Sequence, residues 1–153
     1  MARLKVLAIS VATGRIGYAF LIGGRPKDWK MSKKAWRTVA GAEDYVKQLI
    51  AFFKPDVVVT EKIAKESGKG DHAKRIIAAI ARVAEKAMLL DVVVPRMQRY
   101  QNKYAEARAL AERFPELAAS VPRKPRLWES EPFAMIYFEA VSLALEVVDH
   151  RNA

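Results

Sequence analysis

The sequence predicts an α/β fold with a mixed five-stranded sheet and helices on both faces. Three strand-like segments follow one another near the start of the chain, and two further strands come later, each preceded by a helical segment. Neighbouring strands joined by short turns pair antiparallel, whereas strands reached through a helix pair parallel. The element order is therefore strand, strand, strand, helix, strand, helix, strand, helix, helix, with three antiparallel strands followed by two parallel ones.

The first two strands are expected to form a hairpin. Residues 6–9 are a short apolar run, and residues 15–22 are a second run rich in strand formers. Thr13-Gly14 lies between them, and glycine readily adopts the positive φ angles of tight turns. Ser10 follows the first run as a polar residue at the strand end, which is where α/β proteins display functional side chains.

The next elements end in a carboxylate. A third strand is expected around residues 29–31, followed by an amphipathic helix over residues 42–54 that Pro55 terminates. Residues 57–61 are a β-branched run typical of a strand covered on both faces, and its last residue is Glu61. A carboxylate at the end of a buried strand needs a cation, a metal ion or solvent to offset its charge. Glu61 is therefore a second candidate site residue.

The second half of the chain predicts a cationic loop, a short strand and three helices. The loop covers residues 62–74 and contains Gly68-Lys69-Gly70, which lacks the spacing of a phosphate-binding P-loop. Asp71 is expected to cap the helix that follows. The remaining elements are a helix to about residue 88, a strand at residues 91–94, a helix at about residues 103–113, and a last helix from about residue 130 to residue 149.

The charge of the chain indicates a polyanionic partner. The sequence has 27 Lys+Arg and 17 Asp+Glu, for a net charge of +10 and a pI of about 9.9. Nucleic acid is the first expectation for such a domain, and acidic membrane or protein surfaces come after it. A merely solvated basic surface is the alternative. The candidate nucleic-acid contacts are Lys62, Lys65, Lys69, Lys74, Arg75, Arg96, Arg99 and Lys103.

Composition excludes several other classes. The chain has no cysteine, which rules out a disulfide framework and a cysteine-based metal site. With 153 residues, 52% of them hydrophobic, it is most simply a single domain spanning residues 1–153. We find no secretory signal and no apolar run of about 18 residues, so we expect a cytoplasmic protein with no membrane partner.

Three segments resemble motifs of the RuvC Holliday junction resolvases, which have a ribonuclease H-like fold. Residues 6–19 are similar to the opening motif, an apolar strand ending in Ile-Asp, then two small residues, a polar turn and Thr/Ile-Gly-Tyr, although this chain has Ser10 in place of the aspartate. Residues 55–61 resemble the second motif, in which a strand ends in a catalytic glutamate. Residues 138–145 resemble the closing motif, an acid followed by small and aliphatic residues on the last helix.

The resemblance implies a structure-selective endodeoxyribonuclease that acts on branched DNA, four-way junctions above all, as a homodimer. Such enzymes hold two divalent ions, Mg²⁺ or Mn²⁺, on a carboxylate cluster. Glu61 matches the second acid of the family, and Glu139 matches the acid of the last helix. The other acid of that helix is replaced by Ile136, and Glu131 is the candidate substitute.

Two expectations about these acids follow from helical geometry. Glu131 lies two helical turns, or about 12 Å, before Glu139, so the two should not share a metal ion without a bend. Glu139 also lies on a polar stripe with Glu146 and Asp149, and without the resemblance it reads as a solvated residue. The apolar face of the helix at residues 73–88 is the candidate homodimer interface.

Ser10 is the main departure from the family pattern. It stands where the resemblance implies an aspartate that bridges both metal ions, and a neutral hydroxyl supplies no charge. Three explanations remain open: a natural junction-binding module without catalysis, an inactivated version of an active enzyme, or a ligand set rearranged around Glu61, Glu131 and Glu139. Ala64 is a smaller departure, since the family often carries an aromatic wedge residue near that position.

Overall fold

A computed structural model describes residues 3–62, 70–95, 99–126, 129 and 131–151. The positions of Ala64, Lys65, Lys69 and Arg96 lie outside these residues. Two short 3₁₀ helices, Lys34–Trp36 and Pro115–Ser120, supplement the main elements. The strands and α-helices are β1 (Lys5–Ala12), β2 (Arg15–Ile22), β3 (Arg25–Ser32), α1 (Val39–Phe53), β4 (Val57–Glu61), α2 (Asp71–Lys86), β5 (Leu90–Val94), α3 (Lys103–Arg113) and α4 (Met135–Arg151).

The five strands form one mixed sheet in the order β3-β2-β1-β4-β5. The pairs β1–β2 and β2–β3 are antiparallel, whereas β1–β4 and β4–β5 are parallel. This arrangement confirms the predicted sheet of three antiparallel strands followed by two parallel ones. It also makes β1 the central strand, with β2 on one side and β4 on the other.

Glycine turns explain the length of the antiparallel part. Gly14 has a φ of 89° in the first hairpin, and Gly23 and Gly24 have φ angles of 59° and 81° in the second. These are left-handed conformations that favour glycine. Because the second turn is this tight, β3 pairs with β2 from Arg25 onward and is eight residues long, which is longer than the strand expected around residues 29–31.

Helices cover both faces of the sheet. On one face, Val6, Ala8 and Val59 pack against α3 and α4. On the other, alternate residues of the same strands, such as Leu7 and Val58, pack against α1 and α2. This alternation follows from the two-residue repeat of a strand. Among the described residues, no helix combines the length and the apolar character needed to cross a membrane.

The apolar face of α2 is buried inside the chain. Ile76, Ile80 and Val83 are almost fully covered and belong to the core formed with α1 and the sheet. The expectation that this face binds a second copy is therefore wrong, because the protomer already uses it.

Three helix starts differ from the sequence prediction. The first helix begins at Val39, because the Thr38 side chain accepts a hydrogen bond from the Gly41 amide at 2.9 Å and caps it. Gly70 is the N-cap of α2, and Asp71 is the first residue of that helix instead of its cap. The last helix begins at Met135, so Glu131 lies before α4 and not in its first turn.

Candidate functional site

Ser10 and Glu61 lie on the neighbouring parallel strands β1 and β4, at the edge of the sheet formed by the C-terminal ends of these strands. Pairing between β1 and β4 places Ala8 opposite Val59, and the same offset brings Ser10 level with Glu61. Ala8 and Val59 face α4, so strand alternation directs both polar residues to the α4 side as well. Glu61 ends β4 as predicted, whereas Ser10 lies inside β1, two residues before the strand ends at Ala12.

Glu139 reaches this edge from α4. Its residue exposure is 4%, and its Oε2 accepts a hydrogen bond from the Ser10 hydroxyl at 3.3 Å. The alternative that Glu139 is a solvated residue on a polar stripe is wrong, because α4 packs with this side against the sheet and α3. Glu146, on the same stripe, is also buried. Burial of these carboxylates requires hydrogen-bonding or charged partners.

Lys103 is a charged partner of two acids in the site. Its Nζ lies 2.9 Å from Glu131 Oε1 and 3.2 Å from Glu139 Oε1. Two acids two helical turns apart should not share a metal ion without a bend, and here Glu131 precedes α4, so the rise of a helix does not separate it from Glu139. Lys103 is the first residue of α3, where the Asn102 side chain caps the helix by accepting a hydrogen bond from the Ala105 amide.

Arg15 is a buried member of the site that the sequence did not reveal. Its guanidinium donates to the Thr13 carbonyl and to Glu131 Oε2, both at 2.9 Å. The half-exposed ring of Phe133 lies over it, with Arg15 Cζ 5.1 Å and Lys33 Nζ 4.0 Å from the ring centroid. The signal in the sequence was a lone arginine at the start of an otherwise apolar strand, which needs a buried anion.

The pKa values of the paired groups reflect these contacts. Burial alone would raise the pKa of Glu131, but the cations of Lys103 and Arg15 hold it below its usual value. Burial alone would lower the pKa of Lys103, but Glu139 and Glu131 raise it above its usual value. At neutral pH the lysine is therefore an ammonium and Glu131 a carboxylate, so the contacts join full charges.

Ile136 forms an apolar wall beside the site. It is fully buried and packs on Gly17, the residue opposite Ser10 in the β1–β2 pairing. A Cβ added to Gly17 would lie 2.7 Å from Ile136 Cγ2, which leaves no room for a larger residue. The position at which the resemblance implies a second acid on the last helix therefore belongs to the core of this chain.

The donor set does not fit a pair of divalent metal ions. Over the ranges that the structure describes, no group of three or more His, Cys, Asp or Glu side chains is placed to hold a metal ion. Ser10 adds no charge, and Glu131 and Glu139 already contact the chain's own cations. Mg²⁺ needs several carboxylate or water oxygens in near-octahedral geometry. In this arrangement Lys103 and Arg15 offset the acidic charge.

The candidate nucleic-acid contacts fall into two groups. Lys62 and Arg75 are exposed and Lys74 is half-buried, and none of the three forms an ion pair with a described residue. Arg99 and Lys103, by contrast, pair with buried acids, Arg99 with Glu146 at 2.5 Å. The first group has cationic charge available for phosphates, whereas the second neutralises acids within the chain.

Comparison with solved structures identifies the fold. The chain is similar to Thermus thermophilus RuvC, with a TM-score of 0.68 and 14% identity over 97% of this chain and 96% of that one. Thermus thermophilus RuvC in complex with Holliday junction substrate gives a TM-score of 0.69 and 15% identity over the same shares. The fowlpox virus Holliday junction resolvase gives 0.62 and 15%, over 96% of this chain and 99% of that one.

Sequence comparisons give no such match. No protein-family model matches the chain, and no curated protein is significantly similar to it. The similarity is therefore one of three-dimensional structure, and it extends over almost the full length of both partners. The chain has the RuvC-type fold of the Holliday junction resolvases, which is a ribonuclease H-like fold.

Proposed function

We propose that this protein is a resolvase-type protein that binds branched DNA, including four-way junctions, and whose own phosphodiester cleavage is impaired. The observation that carries the proposal is the polar site at the β1–β4 edge, where Ser10, Glu139 and Lys103 meet on a resolvase fold. One of the proteins that share this fold is described in complex with a Holliday junction substrate.

The positive net charge of the chain supports the proposed binding to DNA. A net charge of +10 favours a polyanionic partner. Lys62 directly follows Glu61, the last residue of β4. Lys74 and Arg75 lie near the start of α2, the element that follows β4 in the chain. None of these three cations pairs with a described acid. Each phosphate that such a group neutralises releases counterions, which makes the affinity strongly dependent on salt.

The proposed impairment of cleavage is supported by the carboxylates that the site lacks and by the pairing of those that it has. Hydrolysis of the resolvase type needs concentrated negative charge to hold divalent cations. In this chain Ser10 is neutral, Ile136 is an apolar core residue, and Glu131 and Glu139 are paired with basic side chains. We infer that the site is suited to contact DNA but poorly suited to cleave it.

The second candidate function is an active, structure-selective endodeoxyribonuclease that uses Mg²⁺ or Mn²⁺. It is supported by Glu131 and Glu139, which share the Lys103 ammonium, and by Glu61, which the strand register brings level with Ser10. These three acids would form the rearranged ligand set. This candidate requires that the acids exchange their present cationic partners for divalent ions when DNA is bound.

One experiment separates the two candidates. Binding of the protein to a synthetic four-way junction and to a linear duplex of the same sequence is measured over a range of salt concentrations. We expect tighter binding to the junction and a logarithm of affinity that falls linearly with the logarithm of salt. With Mg²⁺ or Mn²⁺ present, we expect little or no cleavage of the bound junction.

Three outcomes would change the proposal. Affinity independent of salt would remove nucleic acid as the partner, and equal affinity for both DNAs would reduce the protein to a general DNA binder. Efficient metal-dependent cleavage would establish the second candidate instead.

We further propose that the protein is a single-domain, cytoplasmic homodimer. A four-way junction has approximate two-fold symmetry, so a two-fold dimer presents two matched surfaces to it. Because the apolar face of α2 is buried within the protomer, the edge strand β5, with exposed Leu90 and Val93, is the better candidate interface. Light scattering of the protein alone and with a junction tests this. A monomer under both conditions contradicts it.

A further inference from the structure

We propose that Lys103 acts as a built-in cation that holds Glu131 and Glu139 in place of a divalent metal ion, so that in the wild-type chain these two acids do not bind such an ion while the lysine carries its charge. The proposal concerns the state of the site without DNA. Its test uses no DNA and therefore stands or falls separately from the proposed function.

Lys103 occupies the oxygens that a shared metal ion would use. Its ammonium contacts Oε1 of Glu131 at 2.9 Å and Oε1 of Glu139 at 3.2 Å, and the other oxygen of Glu139 accepts the Ser10 hydroxyl hydrogen bond. A divalent ion held by both acids would need these same oxygens. Ion and ammonium therefore cannot both be accommodated without strong repulsion between like charges.

The charges of this group of side chains balance. Glu131 and Glu139 supply two negative charges, and Lys103 and Arg15 supply two positive charges within contact distance of them. The charges of these four side chains cancel, so the four together offer little electrostatic attraction to a divalent cation. Removal of the Lys103 charge leaves the group net negative, with Glu61 on the neighbouring strand end as a further carboxylate.

Lys103 is also held in position. It is the first residue of α3, and Asn102 caps that helix. The Lys103 side chain is half-covered, and its ammonium lies within 3.2 Å of an oxygen of each of the two carboxylates. A charged group with a fixed backbone and two acidic partners is a component of the site and not a mobile surface lysine.

The test compares Mn²⁺ binding by the wild-type protein, Lys103→Met and Lys103→Arg. Methionine keeps the length of the side chain without its charge, whereas arginine keeps the charge. We expect Lys103→Met to bind Mn²⁺ roughly tenfold or more tightly than the wild type, as measured by titration calorimetry or electron paramagnetic resonance. The thermal midpoint of this variant should rise by a few degrees in millimolar Mn²⁺, and Lys103→Arg should behave as the wild type.

Matched controls identify the site. Lys47→Met removes the same charge from α1, on the opposite face of the sheet, and should leave Mn²⁺ binding unchanged. Adding Glu139→Gln to Lys103→Met should abolish the gained binding. A gain that Lys47→Met reproduces, or that survives Glu139→Gln, would contradict the proposal.

The wild-type protein provides a test that does not depend on the folding of a variant. Paramagnetic Mn²⁺ broadens the NMR signals of nuclei near its binding site. We expect the backbone amide signals of Ser10 and Glu139 to keep their width in millimolar Mn²⁺. Selective broadening of these two signals, or equal Mn²⁺ affinity of the wild type and Lys103→Met, would overturn the proposal.

Discussion

The two halves of α4 carry similar acidic residues but use them differently. In the C-terminal half, Asp149 pairs with Arg113 through both carboxylate oxygens, at 2.8 and 3.0 Å, and Glu146 pairs with Arg99. In the N-terminal half, Glu139 shares the single ammonium of Lys103 with Glu131 and accepts a hydrogen bond from Ser10. Both halves are paired with basic residues of α3 or of the segment just before it.

The two halves of α4 differ in how the shape of the basic group fits the carboxylate that it pairs with. A guanidinium presents two parallel donors that satisfy both oxygens of one carboxylate, so each C-terminal acid has a partner of its own. An ammonium is a point charge, and in the N-terminal half two carboxylates divide it. The C-terminal half therefore holds α4 against its neighbours, whereas the N-terminal half gathers charged groups at the end of β1. A polar stripe on a helix does not by itself distinguish these roles.

The largest effect is expected from placing an acid at Ile136, in the N-terminal half. Ile136→Asp puts a carboxylate into a fully buried site packed on Gly17, and we expect a loss of about 4 kcal/mol or more in the free energy of unfolding. Urea denaturation measures it. Ile136→Val is the control and should cost about 1 kcal/mol. Near-wild-type stability of Ile136→Asp would show that this part of α4 can open toward the site.

Ser10→Asp tests whether the N-terminal half can be converted into a metal site. A second carboxylate beside Glu139 repels it, and without divalent ions we expect a loss of about 2 kcal/mol in stability. The added charge makes the group net negative, so Mn²⁺ should restore the stability and permit metal-dependent cleavage of a four-way junction. Gel assays of cleavage and thermal unfolding with and without Mn²⁺ measure both effects.

Two further variants control this experiment. Ser10→Asn has a similar size without the charge and should gain neither effect. Glu61→Gln in the Ser10→Asp background should abolish cleavage, because the amide keeps the shape and removes the charge. A Ser10→Asp protein that binds junctions but never cleaves them would indicate that the site lacks more than this one acid.

A smaller effect, on junction binding, distinguishes the cations that are available to bind phosphates from the cations that pair with acids of α4. Arg75→Gln should weaken junction binding about fivefold, or about 1 kcal/mol, and lower the salt slope by about 0.9, because one phosphate fewer is neutralised. Arg99→Gln should weaken binding less, because its guanidinium already pairs with Glu146, and should lower stability instead. Fluorescence anisotropy over a salt series measures the slopes. Equal slopes for the two variants would show that Arg99 also binds DNA.

The smallest effect is the coupling between Ser10 and the acids of α4. A double-mutant cycle of Ser10→Ala with Glu139→Gln should give a coupling of about 0.5–1 kcal/mol, the usual value for a long buried hydrogen bond. The cycle with Glu146→Gln should be additive within about 0.3 kcal/mol, because Glu146 lies two helical turns further along α4. Chemical denaturation of the single and double variants provides the values. Equal coupling in both cycles would mean that the two halves of α4 act as one unit.

Local chemistry made much of this protein predictable. Thr13-Gly14 marks the first hairpin, the β-branched run before Glu61 marks β4, and the predicted helix at residues 103–113 has the bounds of α3. The sheet order and the placement of Ser10 and Glu61 at one edge follow from these elements and from the rules of strand connection. The hairpin, β4 and α3 depend on residues that are close in sequence, whereas the pairing of β1 with β4 joins residues about 50 positions apart.

The pairing of charges was decided only by the tertiary structure. Lys103 and Glu131 are 28 residues apart, and Arg15 and Glu131 are 116 residues apart, so no spacing pattern relates them. The late start of α4 frees Glu131 from the helical rise, and the packing of α4 on the sheet buries Glu139, which its polar stripe placed in solvent. The sequence by itself determines which charged side chains are available and which strand ends carry them. Only the folded chain determines which opposite charges meet, because packing decides which cation lies beside each buried carboxylate and offsets its charge.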